Sequence, residues 1–446
     1  MILRTIAEYG ARESQQQLPE QVIRHAKRAV LDWLAALYPG TVVSPGVNLI
    51  QACQDELGVG RASVIGYDTS AFAATAAWIN GSVSHTVEFD DIFRDAVYHP
   101  GCPVISAALA VAQSKNATGL QLLNAIVVGY EISTRIGAAV QPSHYKYFHT
   151  TGTVGSIGAA AAVAALCAPG NATVMQHAIA TATTFAAGLQ QAFRSDAMTK
   201  ALHAGHAAAV GVRAGQAAAA GVTGVEDILE GEVGFAAALS AGANWKVALA
   251  GLGEEYNITR ITQKNHACCG HTFSSIDSAL ALLHQHGFKL ADIERIQIET
   301  YQTAIDVTGN FEPVTAFEAK FSLPYVVSHA LLFGSVRLDA FDGQKLTDKS
   351  LRKLMKKISL SRDSEMTAQF PLHRSARVTI VLTDGNTYTH YAKDRKGDPE
   401  LPLTDEELNN KFDELVIPVL NQEKAEKLKQ QIWRLDQLNV NDLILA

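Results

Sequence analysis

The chain is 446 residues long, 48% apolar and 18% charged, a composition that supports a sizeable core and carries no signature of disorder. Its formal net charge of −7 argues against broad binding to nucleic acid or to anionic membrane surfaces, while leaving room for a local basic pocket that takes a small anion. Five cysteines, Cys53, Cys102, Cys167, Cys268 and Cys269, include no CxxC pair and fit reduced thiols; residues 1–20 turn polar too early for a signal peptide, so a cytoplasmic location is expected.

Residues 19–38 place Val22, Ile23, Ala26, Ala29, Val30, Trp33, Leu34 and Leu37 at helical spacing. Residues 44–57 and 70–80 read the same way, with 62–67 as a strand-like connector. The stretch 80–105, NGSVSHTVEFDDIFRDAVYHPGCPVI, then crowds His85, Glu88, Asp90, Asp91, Arg94, Asp95 and His99 between apolar segments. Acids beside imidazoles and an arginine suit a site that handles protons and grips an anionic ligand, since neighbouring charges move their pKa values towards neutrality; a solvated charged loop would use the same residue types. Residues 102–114 and 118–140 are again predicted helices, the second capped by Thr118.

In SHYKYFHTTGTVG, residues 143–155, His144, Tyr145, Lys146, Tyr147 and His149 precede a Thr- and Gly-rich helix start. Free backbone N–H groups at such a start attract carboxylates, although aromatic residues there can equally staple the helix. Further on, Lys200 has Arg194, Asp196, Thr199, His203 and His206 as company in a stretch otherwise poor in polar groups. A lysine partly desolvated among cations loses pKa and can become a base. The Ala- and Gly-rich runs 153–168 and 204–222 are too weakly apolar for lipid and predict closely packed interior helices.

Beyond about residue 253 the texture changes. Residues 293–301, 375–382 and 387–391 alternate with the period of strands, Asp384, Gly385 and Asn386 forming a hairpin turn, and helices at 272–286 and 323–332 make this an α+β unit. Cys268 and Cys269 beside His266 and His271 suggest a metal at first sight, but adjacent cysteines reach one tetrahedral ion poorly, so no metal is expected. The tail, 404–411 and 422–438, is charged and helical.

Together NGSVSHTVEFDD and HPG in 80–101, FHTTGTVG in 148–155, MTKALHAGHAA in 198–208, EAKFSLPYVV in 318–327 and DRKGDPELPLT in 394–404 resemble the MmgE/PrpD family, which includes 2-methylcitrate dehydratase, cis-aconitate decarboxylase and iminodisuccinate epimerase. The resemblance implies a mainly α protein: a large all-helical domain made from both chain ends, 1–264 and 395–446, with a smaller α+β lid inserted at 265–394. It also implies a homodimer, a small polycarboxylate substrate, and no metal or organic cofactor. By motif the site would hold the acids from Glu88 to Asp91, that is Glu88, Asp90 and Asp91, with His99, His149, Lys200 and, from the lid, Tyr325, and His266 or His271 nearby.

Glu88 stands where the decarboxylase and dehydratase branches usually show Asp. With its length and its Tyr145, Lys146, Tyr147 cluster, the chain is most similar to the epimerase branch. That reading makes Lys200 and Tyr145 opposed proton carriers, has His99 and His149 stabilise charge or relay protons, and makes Arg94, Lys146 and His271 carboxylate contacts. A lyase of the dehydratase or decarboxylase kind is the alternative, and an inactive polycarboxylate-binding protein a further one.

Overall fold

In the computed structural model, which describes residues 1–193, 195 and 197–446, long apolar stripes pair into a stack of helices. Arg194 and Asp196 lie outside the described residues. The chain divides into two compact units, Met1–Thr262 with Thr404–Ala446, and Gln263–Leu403.

The first unit opens with helices α1 (Ile2–Glu13) and α2 (Glu20–Thr41), then a small antiparallel hairpin of β1 (Ala62–Val64) and β2 (Thr69–Ala71). Helix α3 (Ala73–Ser84) therefore starts later than the apolar spacing from residue 70 suggests, because Ser70 is taken into the hairpin opposite Ser63. Next come α4 (Gly101–Lys115), α5 (Gly119–Ala139), α6 (Thr150–Cys167), α7 (Ala172–Thr184) and α8 (Thr199–Ala219). Thr118 caps α5 with a reciprocal box, its hydroxyl accepting from the Gln121 N–H while the Gln121 side chain accepts from the Thr118 N–H.

Small residues set how closely these helices approach. A methyl group at Gly205 of α8 would stand 2.3 Å from the Trp78 carbonyl oxygen of α3, and one at Gly211 would stand 2.2 Å from the Ala159 Cβ of α6. Helix α6 is long and apolar enough to cross a membrane, yet 94% of its apolar window is buried inside the protein, which fits a core helix.

In the second unit, α9 (Phe273–His286) packs on a four-stranded sheet of order β4-β3-β5-β6, built from β3 (Ile293–Thr300), β4 (Ile358–Arg362), β5 (Ala376–Leu382) and β6 (Thr387–Ala392). Ile296, Ile298 and Thr300 of β3 are buried in alternation; β4 joins β3 in parallel, Ile296 opposite Ile358, while β5 and β6 form the expected hairpin with Gly385 at φ +87°. Helix α10 (Leu323–Phe333) belongs to the same unit. The unit runs to Leu403 rather than to 394 because Gly397 O accepts from Gln263 N at 2.9 Å and the Arg395 guanidinium donates to Gly270 O at 3.0 Å.

The tail returns to the first unit as α11 (Asp405–Leu420) and α12 (Gln422–Trp433). It is tied there by Gly119 N to Leu438 O at 2.8 Å and by a fully buried ion pair, Lys411 Nζ to Asp32 Oδ1 at 2.7 Å.

Candidate functional site

The acidic stretch leaves α3 at His85 and turns at Glu88, whose backbone is left-handed with φ +62°. That conformation costs a non-glycine residue on the order of 1 kcal/mol, so neighbouring contacts must hold it. Lys411 supplies one: the same Nζ that pairs with Asp32 donates to the Phe89 carbonyl oxygen at 2.9 Å. Lys200 supplies the other through an ion pair with the Glu88 carboxylate. The C-terminal helix thus reaches back to fix the turn that presents the acids.

Asp90, buried one residue further on, joins two imidazoles. Its Oδ2 lies 2.7 Å from His85 Nδ1 and 3.1 Å from His99 Nδ1, and accepts from Cys102 Sγ at 3.2 Å. A carboxylate oxygen can only accept, so the His85 ring carries its proton at Nδ1 and directs Nε2 elsewhere, while His99 Nδ1 stands at ion-pair distance from the same oxygen. His85 Nε2 is buried and makes no hydrogen bond among the described residues. Burial alone would raise the Asp90 carboxyl, but charge and hydrogen bonds from His85 and His99 outweigh it and hold it well below the usual carboxylate range.

His149 enters from the residue preceding α6, its ring stacked 5.4 Å from that of His85 and edge-on to that of His99 at 6.5 Å. Lys200 and His203 come from the first turn of α8, which begins at Thr199 and so includes both; three residues apart, they project to the same side. His149 Nδ1 and His203 Nδ1 are 3.0 Å apart, and Phe193 lies edge-on to His149 and beneath Lys200 Nζ. Burial, reinforced by His85, Lys200, His99 and His203, keeps the His149 imidazolium disfavoured, its pKa well below the usual value.

Glu88, His99, His149 and Lys200 therefore meet in one cluster. Asp90, one of the acids the motif placed in the site, joins them, and His85 and His203, to which the sequence reading gave no role, complete the cluster.

Asp91 takes no part. Its Oδ1 accepts from Gly101 N at 3.1 Å, at the start of α4, and its Oδ2 accepts from the Tyr130 hydroxyl at 2.7 Å, so a substrate contact gives way to a structural role. Burial, with Asp32 and Asp90 nearby, pushes its carboxyl up to about 8 against those two hydrogen bonds. A folded-state pKa above the unfolded value of about 3.9 means that the stabilising protonation is present at low pH and lost as pH rises towards 8. Asp91→Asn, which keeps both hydrogen-bonding positions without a charge, should accordingly gain stability relative to the parent between about pH 5 and about pH 8. Urea midpoints at the two pH values check this, and a constant difference would contradict it.

Lys146 is exposed and rests over the exposed Tyr147 ring, 5.1 Å from its centroid. Tyr145 is half-buried on a short turn, its N–H on Gln141 Oε1, while its neighbour His144 points inward to Leu239 O and Thr153 Oγ1. Arg94 is half-buried beside the exposed Arg260–Asp95 pair.

In the second unit, His266 Nε2 pairs with Asp277 at 2.9 Å and His271 Nδ1 meets the Tyr301 hydroxyl at 2.6 Å. Burial, then Arg374 and Arg395, lowers His271 to about 3. Tyr325, the expected substrate contact of this unit, is fully buried in α10 and its hydroxyl donates to Ala340 O.

Among the described residues, His85, Asp90 and His99 offer three potential metal-ligand atoms within 4.8 Å of one another. Their geometry is that of a carboxylate accepting from two imidazoles, and a cation would have to displace both Nδ1 protons to bind there.

A helical unit that gathers imidazoles, carboxylates and a lysine in one buried cluster has the make-up of an enzyme site for moving protons. The model of the MmgE/PrpD N-terminal domain matches residues 4–248 and that of the MmgE/PrpD C-terminal domain matches 266–437, and the chain belongs to the MmgE/PrpD family.

Its relatives include a cis-aconitate decarboxylase-like protein of Aspergillus oryzae, 27% identical and covering 94% of this chain and 91% of the relative. The cis-aconitate decarboxylase of Mus musculus is 28% identical over 94% of this chain and 88% of its own. The 2-methylcitrate dehydratase of Escherichia coli matches only 26% of each chain, at 26% identity.

Proposed function

We propose that this protein is a lyase that removes carbon dioxide from a small unsaturated tricarboxylate of the cis-aconitate type, using its own side chains. The likeness to decarboxylases runs along nearly the whole chain, whereas the dehydratase likeness covers about a quarter of it, and this moves the lyase reading ahead of the epimerase reading. The observation that carries the proposal is the single buried cluster in which the Asp90-anchored pair His85 and His99 adjoins His149 and Lys200.

In such a reaction the bond to the departing carboxylate breaks and its electron pair becomes the new double bond. The old π pair moves to the carbon beside another carboxylate and takes a proton there. Catalysis then needs cations around the remaining carboxylates and an acid placed at that carbon. Lys200 supplies the cation and His99 or His149 the acid, while Glu88 orients Lys200.

Proton NMR in deuterated water, with cis-aconitate, 2-methylcitrate and iminodisuccinate as separate substrates, tests this. Carbon dioxide release from cis-aconitate with one deuterium entering beside a carboxylate is expected. Exchange at the α-carbon of iminodisuccinate, with cis-aconitate untouched, would restore the epimerase; a new double bond from 2-methylcitrate alone would make it a dehydratase.

A further inference from the structure

The reaction proposed above consumes a proton at every turnover, and within the cluster His85 and His149 are shut off from water, each 1% exposed, whereas the His99 side chain is 14% exposed. From His149 one route leads outward. His149 Nδ1 and His203 Nδ1 are 3.0 Å apart, so one ring donates and the other accepts. His203 in turn forms part of the wall of a cavity of about 540 Å³, with Gly188, Leu189, Gln191, Thr199 and His206.

The contact between the two rings depends on glycine. A methyl at Gly152 would stand 2.4 Å from Ala187 O and 3.2 Å from His203 Cβ, forcing α6 away from the segment and helix that carry His203. The 187–190 segment is also fastened to the His149 region by His149 N to Gly188 O and Gln190 N to Tyr147 O, each 2.9 Å.

We infer that His203 is the outer member of a two-imidazole proton relay, taking protons from water in this cavity and passing them through His149 to the reacting carbon. The inference rests on the lyase reading. A proton enters at His203 Nε2 as one leaves His149 Nε2, and the shared proton crosses between the Nδ1 atoms; once product leaves, water entering the emptied site returns a proton to His149 Nε2, the shared proton crosses back and His203 Nε2 releases one to the cavity, which restores the starting tautomers. Burial, then His85, His206 and Lys200, lowers His203 to about 4, so the resting ring is neutral and can pass a proton without trapping it.

The test is His203→Gln, which keeps a hydrogen-bonding group beside His149 but cannot carry the proton through, together with His203→Ala assayed with and without added imidazole. Circular dichroism and urea midpoints first confirm that both variants are folded. The expected result is a fall in kcat of about a hundredfold with KM little changed, a larger solvent deuterium effect, and recovery of His203→Ala by millimolar imidazole.

A His203→Gln variant with parental kcat and isotope effect overturns the relay. So does a loss of activity in His203→Ala that imidazole leaves unrepaired, since a purely structural role gives that outcome. Turnover by the parent is measured beforehand: a parent that releases no carbon dioxide overturns the lyase reading and the relay with it, and in a parent that does, the ratio of variant to parent decides the relay alone.

Discussion

Lys200→Met is expected to lower kcat by roughly three orders of magnitude, the largest single loss available from the cluster. Methionine keeps an unbranched apolar chain of similar reach and gives up only the ammonium that stands 5.1 Å over the Phe193 ring, so the change removes the charge with little change of volume. Two effects then add. The substrate loses a cation at the point where negative charge develops, and Glu88 loses its ion pair while only 19% of its side chain is exposed, so the left-handed turn loses one of the two contacts that hold it.

Lys200→Arg separates charge from proton transfer, because a guanidinium retains the charge but does not give up a proton near neutrality. If Lys200 acts by charge alone, the arginine variant keeps most of kcat; if it is also the acid, KM survives and kcat does not. Steady-state kinetics on variants checked by size-exclusion chromatography and urea unfolding decide between these. A folded Lys200→Met enzyme within about fivefold of the parent kcat would remove Lys200 from the chemistry altogether.

How much of this the residues announce depends on whether the deciding contact is local. The helical stripe of α2, the Thr118 cap and the hairpin at Gly385 are local, and each is readable from a few neighbouring residues. Strand β4 is not: its five residues join the sheet through a parallel partner more than fifty positions away, and nothing nearby distinguishes them from the helical segments on either side.

The cluster divides the same way. Glu88, His99, His149 and Lys200 stand out because each sits in a polar knot within an apolar chain. His203 passes for a helix-surface residue until Gly152 is seen to let its ring reach His149, 54 positions earlier. Asp90 and Asp91 are adjacent and chemically alike, yet one faces the imidazoles and the other faces Gly101 and Tyr130. Which of two neighbouring acids points inward is set by the turn at Glu88, and that turn depends on Lys411 from the far end of the chain.

Asp90→Asn is expected to cost about three orders of magnitude in kcat while changing KM by only a few-fold, although Asp90 touches no substrate in the proposed chemistry. The carboxylate serves both imidazoles with one oxygen, and an amide cannot: its oxygen accepts from one ring, and its nitrogen offers the second a donor where an acceptor is needed. At least one of His85 and His99 must then change tautomer or rotate, placing N–H where Nε2 previously offered a lone pair.

Removing the charge also withdraws the anion that favours protonated imidazoles. If turnover needs an imidazolium, the variant should recover relative to the parent as pH is lowered from about 8 to about 6. The pH profile separates this from mere loss of structure. A variant that is simply damaged loses activity in proportion at every pH, whereas one that has lost the anchoring charge has its alkaline limb displaced to lower pH. A folded Asp90→Asn enzyme with a parental profile and kcat within tenfold would show that the two rings hold their orientation without Asp90, and the oriented pair would then have to be traced to packing against His149 and Cys102 instead.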